Sequence, residues 1–170
     1  MSPGVLLRQA HAPDLAALVA LEAACYSHPW TAAQIEEEMA VAPPGGLFVL
    51  EGPPRQDAVT GICAYCAFRL VLDEMHVMNL AVAPRARRRG LGRRLLGFAL
   101  RRAARAGARV AFLELRAGNR AALALYESLG FRPLSRRRAY YRQPPEDGLV
   151  LVLEGLSSGP ASPFAPVPQS

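Results

Sequence analysis

Three sets of residues in this chain have the types and spacing to do chemistry. The first is Asn79-Leu-Ala-Val-Ala-Pro-Arg-Ala-Arg-Arg-Arg-Gly-Leu-Gly92, which reads as a buried strand running into an arginine- and glycine-rich turn that opens a long helix. Backbone amides gathered at a helix N-terminus, with glycines allowing close approach, make a cradle for an anion. Neither standard phosphate motif fits: there is no Gly-x-x-x-x-Gly-Lys-Ser/Thr, and Gly90-Leu91-Gly92 lacks the third glycine of a dinucleotide fingerprint. The second is Glu114, the one carboxylate in the apolar run Val110-Ala-Phe-Leu-Glu-Leu-Arg116. Desolvation in a central strand covered on both faces would raise its pKa and suit it to general-base work. Pairing with an arginine would account for it equally well. The third is Tyr126, seven residues after Asn119 and so two helical turns along nearly the same face. A tyrosine within Ala-Leu-Tyr-Glu-Ser-Leu is most often a core anchor.

The elements that must position these residues follow from periodicity and punctuation. Val5 to Ala10 reads as a first strand. Pro13-Asp14 opens a helix whose buried face would carry Leu15, Leu18, Val19 and Cys25. His28-Pro29-Trp30 breaks it. Thr31-Ala-Ala-Gln34 is a capping box for a second helix, whose Glu36, Glu37 and Glu38 are expected to form a solvated face. Pro43-Pro44-Gly45-Gly46 ends that helix. Strands follow at Leu47 to Glu51, Val59 to Leu70 and Met75 to Val82, with a turn-rich loop through Gly52, Pro53, Pro54 and Asp57 and a hairpin near Asp73-Glu74. Leu91 to Ala106 is an amphipathic helix with the stripe Leu91, Leu95, Phe98, Ala99 and Ala103, stopped by Gly107. After the Glu114 strand, Asn119 caps a helix ended by Gly130, and Ala139 to Arg142 and Leu149 to Leu153 supply two more strands. The expected architecture is α/β: a mixed, mostly antiparallel sheet of about seven strands with helices on both faces. One domain is expected over residues 1–154, and Gly155 to Ser170, rich in Pro, Ser and Gly, is expected to be a disordered tail.

Composition narrows the class. With 51% hydrophobic and 20% charged residues in 170, the chain suits one folded domain rather than a disordered polymer. No apolar run approaches a membrane span and nothing resembles a signal peptide, so a cytoplasmic location is expected. The net charge of +6 comes entirely from arginine, with no lysine at all. Arginine suits phosphate, although an alanine- and arginine-rich source composition explains the overall excess. Cys63-x-x-Cys66 has no second pair to complete a metal site, so it reads with Cys25 as buried, reduced thiols. No metal is expected.

Several stretches in order carry a resemblance. Arg87-x-x-Gly90-x-Gly92 after a strand resembles the acyl-CoA pyrophosphate loop of the GCN5-related N-acetyltransferases. Pro29-Trp30, Val71-Leu-Asp-Glu74, Asn79-Leu-Ala-Val82, Arg88-Arg-Gly-Leu-Gly-Arg93, Leu113-Glu-Leu-Arg-Ala-Gly-Asn119, Ala124-Leu-Tyr-Glu-Ser-Leu-Gly-Phe131 and Arg137-Arg-Ala-Tyr-Tyr141 together are similar to the bacterial ribosomal-protein-alanine N-acetyltransferases. The resemblance covers roughly Val5 to Leu153 and excludes the tail.

That resemblance implies an acetyl-CoA-dependent protein N-terminal acetyltransferase. The acceptor would be the N-terminal alanine of a small-subunit ribosomal protein, attacking directly in a ternary complex. It implies that Arg87, Arg88, Arg89, Gly90, Leu91, Gly92 and Arg93 hold the pyrophosphate, and that Leu80, Ala81 and Val82 pair with pantetheine like an added strand and polarise the thioester. Asn119 would contact the cofactor, Glu114 would act as base through a water, and Tyr126 would protonate the departing sulfur. Asp73 and Glu74 are second-choice bases. Trp30, Tyr140 and Tyr141 are candidate walls of the acceptor groove, and His76 reads as an ordinary strand residue. The chain is expected to act as a monomer, without a membrane and without direct nucleic-acid binding. Two other readings remain open at this stage: acetylation of a small amine, and an arginine-rich RNA- or ribosome-binding module, which would lack the interleaved aromatic platform.

Overall fold

The structure, a computed structural model, describes residues 4–53 and 61–157. Its strands are β1 (Leu6–Gln9), β2 (Gly46–Glu51), β3 (Ile62–Val71), β4 (Glu74–Val82), β5 (Val110–Arg116), β6 (Arg132–Arg142) and β7 (Pro145–Glu154). Its helices are α1 (Leu15–Cys25), α2 (Ala32–Met39), α3 (Leu91–Arg105) and α4 (Arg120–Ser128), with 3₁₀ turns at Ala12–Asp14 and Pro84–Ala86. The seven strands lie in the sheet order β1-β2-β3-β4-β5-β7-β6. The pairs β1–β2, β2–β3, β5–β7 and β6–β7 are antiparallel, while β4–β5 is parallel and is joined through α3. The mixed, mostly antiparallel sheet read from sequence is the one observed. The expected loop through Pro54 and Asp57, the start of the strand expected from Val59, and residues 158–170 of the expected tail lie outside the described residues.

Backbone proximity divides the chain into two compact units. One takes the residues up to Arg69 together with Asn79–Ala99, and the other takes Leu70–Met78 with the residues from Leu100 on. In the first unit Leu18, Ile35, Leu47, Leu50, Phe68, Leu95 and Leu96 are fully buried. Phe48 lies between Phe68 and Phe98, with ring centroids 5.8 and 5.2 Å away. Each such leucine contributes about 2 kcal/mol by leaving water. In the second unit Met75, Leu100, Ala111, Leu113, Phe131, Leu151 and Val152 are buried, and Leu156 beyond β7 is too, its N–H donating to the Arg109 carbonyl.

The helix starts are local. Thr31 caps α2 reciprocally: its hydroxyl accepts from the Gln34 N–H and its own N–H donates to the Gln34 side chain, the box read from sequence. Asn119 caps α4 through Oδ1, which accepts the Ala122 N–H at 3.2 Å. Gly107, at φ +101°, supplies the left-handed residue that stops α3.

Four expectations are corrected. The buried face of α1 is Leu18, Leu21 and Glu22, whereas Leu15, Val19 and Cys25 are only half-buried. The acidic run on α2 is not uniformly solvated: Glu38 is buried and held by Arg69 at 2.6 Å, while Glu37 reaches the same guanidinium at 3.2 Å. β6 begins seven residues earlier than expected, at Arg132 rather than Ala139, because its exposed side chains give no hydrophobic alternation to read. β5 is not covered on both faces: Ala111, Leu113 and Leu115 are buried, but Glu114 between them is exposed.

Candidate active site

The strand-turn-helix stretch lies in the first unit. Beyond β4, the Ala83 N–H donates to the Cys63 carbonyl at 2.8 Å, and a 3₁₀ turn follows at Pro84–Ala86. Arg87 folds back so that its Nε donates to the Val82 carbonyl at 3.1 Å, and the Cys25 thiol donates to the same oxygen at 3.4 Å. Arg88 at φ +59° and Gly90 at φ +74° then adopt left-handed backbone. The first bond of α3 is from the Arg94 N–H to the Gly90 carbonyl, 2.9 Å. Leu91 and Gly92 therefore open the helix, where N–H groups have no intrahelical acceptor and the dipole is positive. Arg87, Arg88, Arg89 and Gly90 are exposed, and a Cβ placed on Gly90 would meet nothing within 4 Å. This is an open, cationic turn fit for a phosphate.

Upstream, the peptide groups of Leu80 are both held by side chains. Its N–H donates to Asn79 Oδ1 at 2.9 Å and its carbonyl accepts the Tyr26 hydroxyl at 2.6 Å. Ala81 is buried, and Val82 is half-buried. Trp30, half-buried, donates its backbone N–H to Glu22, and its ring centroid lies 6.5 Å from that of Tyr65. Sequence reasoning missed Glu22 and Tyr26. The available signal was that Glu22 falls four residues after Leu18, on the same helix face.

The second unit holds the acid-base candidates. Glu114 is not desolvated: its side chain is 38% exposed and its Oε1 pairs with Arg137 Nη1 at 3.2 Å. Arg137 in turn lies 5.1 Å from the Tyr140 ring centre, and Arg116 lies 4.2 Å from that of Tyr141. Tyr140 and Tyr141 meet edge to face at 5.1 Å, and neither is in the core. Burial first, then the negative charge of Glu114, pushes the Tyr141 phenol above its ordinary range. The backbone there is bent: Ala139 sits at φ +49°, inside a register irregularity of the β6–β7 pair, with its N–H on Asp147 Oδ1 at 2.8 Å. Tyr126 is buried against Phe131, ring centroids 6.0 Å apart. Asn119 spends Oδ1 on its cap. Asp73 is exposed in the turn before β4, and Glu74 faces His76 at 3.1 Å, whose ring stacks on Phe112.

The cysteines are free thiols, and burial pushes that of Cys66 up to about 12. No group of three metal-binding side chains occurs among the described residues, and no helix among them is long and apolar enough to cross a membrane.

Residues 15–131 match the Acetyltransferase (GNAT) family. Over 94 residues the chain is 44% identical to the [Ribosomal protein bS18]-alanine N-acetyltransferase of Salmonella typhimurium, a match that covers 54% of this chain and 64% of that protein. It therefore spans under two thirds of that relative's length. The N-alpha-acetyltransferase RimI of Mycobacterium tuberculosis is 45% identical over 78 residues, 46% of this chain and 48% of that one. The crystal structure of the ribosomal-protein-S18-alanine N-acetyltransferase from Escherichia coli superposes with a TM-score of 0.78 at 30% identity, covering 93% of this chain and 98% of the other. With the family matched over most of its length and a superposition covering 93% of it, the chain belongs to the GNAT family of acetyltransferases.

Proposed function

We propose that this protein is an acetyl-CoA-dependent N-terminal acetyltransferase whose acceptor is the N-terminal alanine of a small-subunit ribosomal protein. The observation that carries the donor is the turn at Arg87–Gly90, whose left-handed Arg88 and Gly90 aim backbone at the start of α3. The acceptor rests on the names of the relatives, two of which act on ribosomal protein bS18. A ribosomal acceptor would place the work in the cytoplasm.

Acetyl transfer from a thioester to an amine needs a held donor, a polarised carbonyl, a deprotonated ammonium and a protonated leaving group. Arg87, Arg88, Arg89, Gly90, Leu91, Gly92 and Arg93 hold the pyrophosphate of acetyl-CoA, with Asn119 as a further contact. The stretch Leu80, Ala81 and Val82 lies along its pantetheine arm. Glu114 takes a proton from the acceptor ammonium through a water, and the neutral amine attacks the thioester carbonyl. As the C–S bond breaks, Tyr126 gives its phenolic proton to the departing sulfur, the surplus proton on the new amide nitrogen restoring the phenol. The pairing of Glu114 with Arg137, whose guanidinium lies over Tyr140, keeps the carboxylate oriented, and Tyr140, Tyr141 and Trp30 are each assigned to contact with the acceptor peptide.

Mixing the protein with acetyl-CoA and an alanine-starting peptide should release CoA. A panel of peptides and small amines decides the acceptor: transfer to polyamines or aminoglycosides alone would overturn the peptide reading. If Glu114→Gln and Tyr126→Phe both keep full rate, the assigned acid and base are wrong. Salt-sensitive RNA binding without acetyl-CoA binding would overturn the enzyme reading altogether.

A further inference from the structure

Glu22 is 1% exposed, in the last turn of α1, and it takes part in none of the salt bridges among the described residues. Three neutral donors hold it instead. Oε2 accepts the Trp30 backbone N–H at 2.8 Å, and Oε1 accepts the Tyr65 hydroxyl and, at 2.9 Å, Asn79 Nδ2. Tyr65 is itself fully buried, and its oxygen accepts a second Asn79 Nδ2 contact at 2.6 Å. The surroundings offer donors only, which is what a carboxylate requires.

The two oxygens face different parts of the unit. Through Oε1, Glu22 orients the Asn79 amide, and Asn79 Oδ1 accepts from the Leu80 N–H and from Tyr26, whose hydroxyl also holds the Leu80 carbonyl. Through Oε2 it fixes the peptide of Trp30, one residue before the Thr31 cap of α2. We infer that Glu22 is a positioning residue that sets the donor strand at Leu80 and the acceptor wall at Trp30 from one side chain. This rests on the reading of the protein as an N-terminal acetyltransferase.

The chemistry makes the requirement for a carboxylate sharp. Glutamine has nearly the same shape but brings an NH2 group. Turned one way, that NH2 faces the Trp30 N–H; turned the other, it faces Asn79 Nδ2. Either orientation sets donor against donor in a dry site, so one of the two attachments is lost.

The test uses the full chain as wild type, Glu22→Gln and Asn79→Ala, each first shown to melt cooperatively. Steady-state KM is measured for acetyl-CoA and for an alanine-starting peptide, together with amide hydrogen exchange at Leu80 and Trp30 in ligand-free protein. For Glu22→Gln at least one of the two KM values should rise about tenfold or more, the scale of one hydrogen bond to a charged group, together with faster exchange at the matching amide, Leu80 for acetyl-CoA or Trp30 for the peptide. Asn79→Ala should raise the acetyl-CoA KM and speed exchange at Leu80 while leaving Trp30 and the peptide KM as in wild type. A folded Glu22→Gln with both KM values and both amides unchanged overturns the inference and makes the network core packing only. Should Glu22→Gln fail to fold, Tyr65→Phe, which removes one donor to Glu22 and one acceptor for Asn79, is read by the same outcomes at Leu80. If wild type transfers acetyl to no acceptor, the enzyme reading fails. The exchange rates at Leu80 and Trp30 then still decide whether Glu22 fixes both peptides.

Discussion

Glu22 and Glu114 are both single carboxylates set among apolar neighbours, in Ala-Leu-Val-Ala-Leu-Glu-Ala-Ala-Cys25 and in Val110-Ala-Phe-Leu-Glu-Leu-Arg116, yet they end in opposite settings. Glu22 is sealed in the first unit and held by three neutral donors. Glu114, in the second unit, keeps a side chain 38% exposed and meets a guanidinium. The hydrophobicity of the surrounding run does not decide which carboxylate is buried; the face it projects from does. On α1, Glu22 follows Leu18 by one helical turn and shares its buried side. On β5 the pleat sends Glu114 opposite to Leu113 and Leu115. The difference also separates two jobs. A sealed acceptor of three hydrogen bonds is suited to holding backbone still, and an accessible one to exchanging a proton with water and substrate.

The largest effect that tests this division is on rate. Glu114→Gln should lower kcat by about a hundredfold or more, the contribution of a general base, with the melting temperature unchanged. Full activity would leave the accessible carboxylate without its assigned job. Next comes stability, where Glu22→Ala should cost about 3 kcal/mol in urea denaturation, since it strands the Tyr65 hydroxyl, Asn79 and the Trp30 N–H in a dry site. A cost no larger than that of Glu114→Ala would erase the contrast. Arg137→Gln, which breaks an exposed pair, should change stability by less than about 1 kcal/mol in the same assay. The smallest effect is spectroscopic. Because the Glu114 charge adds to burial in raising Tyr141, Glu114→Gln should move the Tyr141 tyrosinate titration back down toward its ordinary range, with burial keeping it above. No movement in the tyrosinate absorbance would mean that the two side chains do not sense one another.

Much of the fold was legible because it depends on local rules. The element order follows from period, caps and glycine stops: Thr31 with Gln34, Asn119, and the left-handed Gly107 are each where their chemistry requires. The turn at Arg87–Gly90 was legible for the same reason, since its backbone is dictated by residues within a few positions. What escaped depends on long-range partners. Glu38 is buried because Arg69, 31 residues away, meets it. Glu22 needs Tyr65 and Asn79, 43 and 57 residues away, and no local pattern announces either. The first seven residues of β6 escaped because an exposed strand paired to β7 carries arginines where alternation would otherwise mark it.

The hydrogen bonds at Leu80 have a further consequence. The β4–β5 register runs from Glu74↔Val110 to Val77↔Leu113, and Leu80 lies beyond its end. An N–H and C=O left unfilled on a strand are a template for another chain, the usual route to edge-to-edge self-association. Asn79 and Tyr26 fill both from within the molecule. Both hydrogen-bonding groups of the peptide proposed to meet the donor are thereby occupied from within the molecule, and Tyr26→Phe would free the Leu80 carbonyl for another strand.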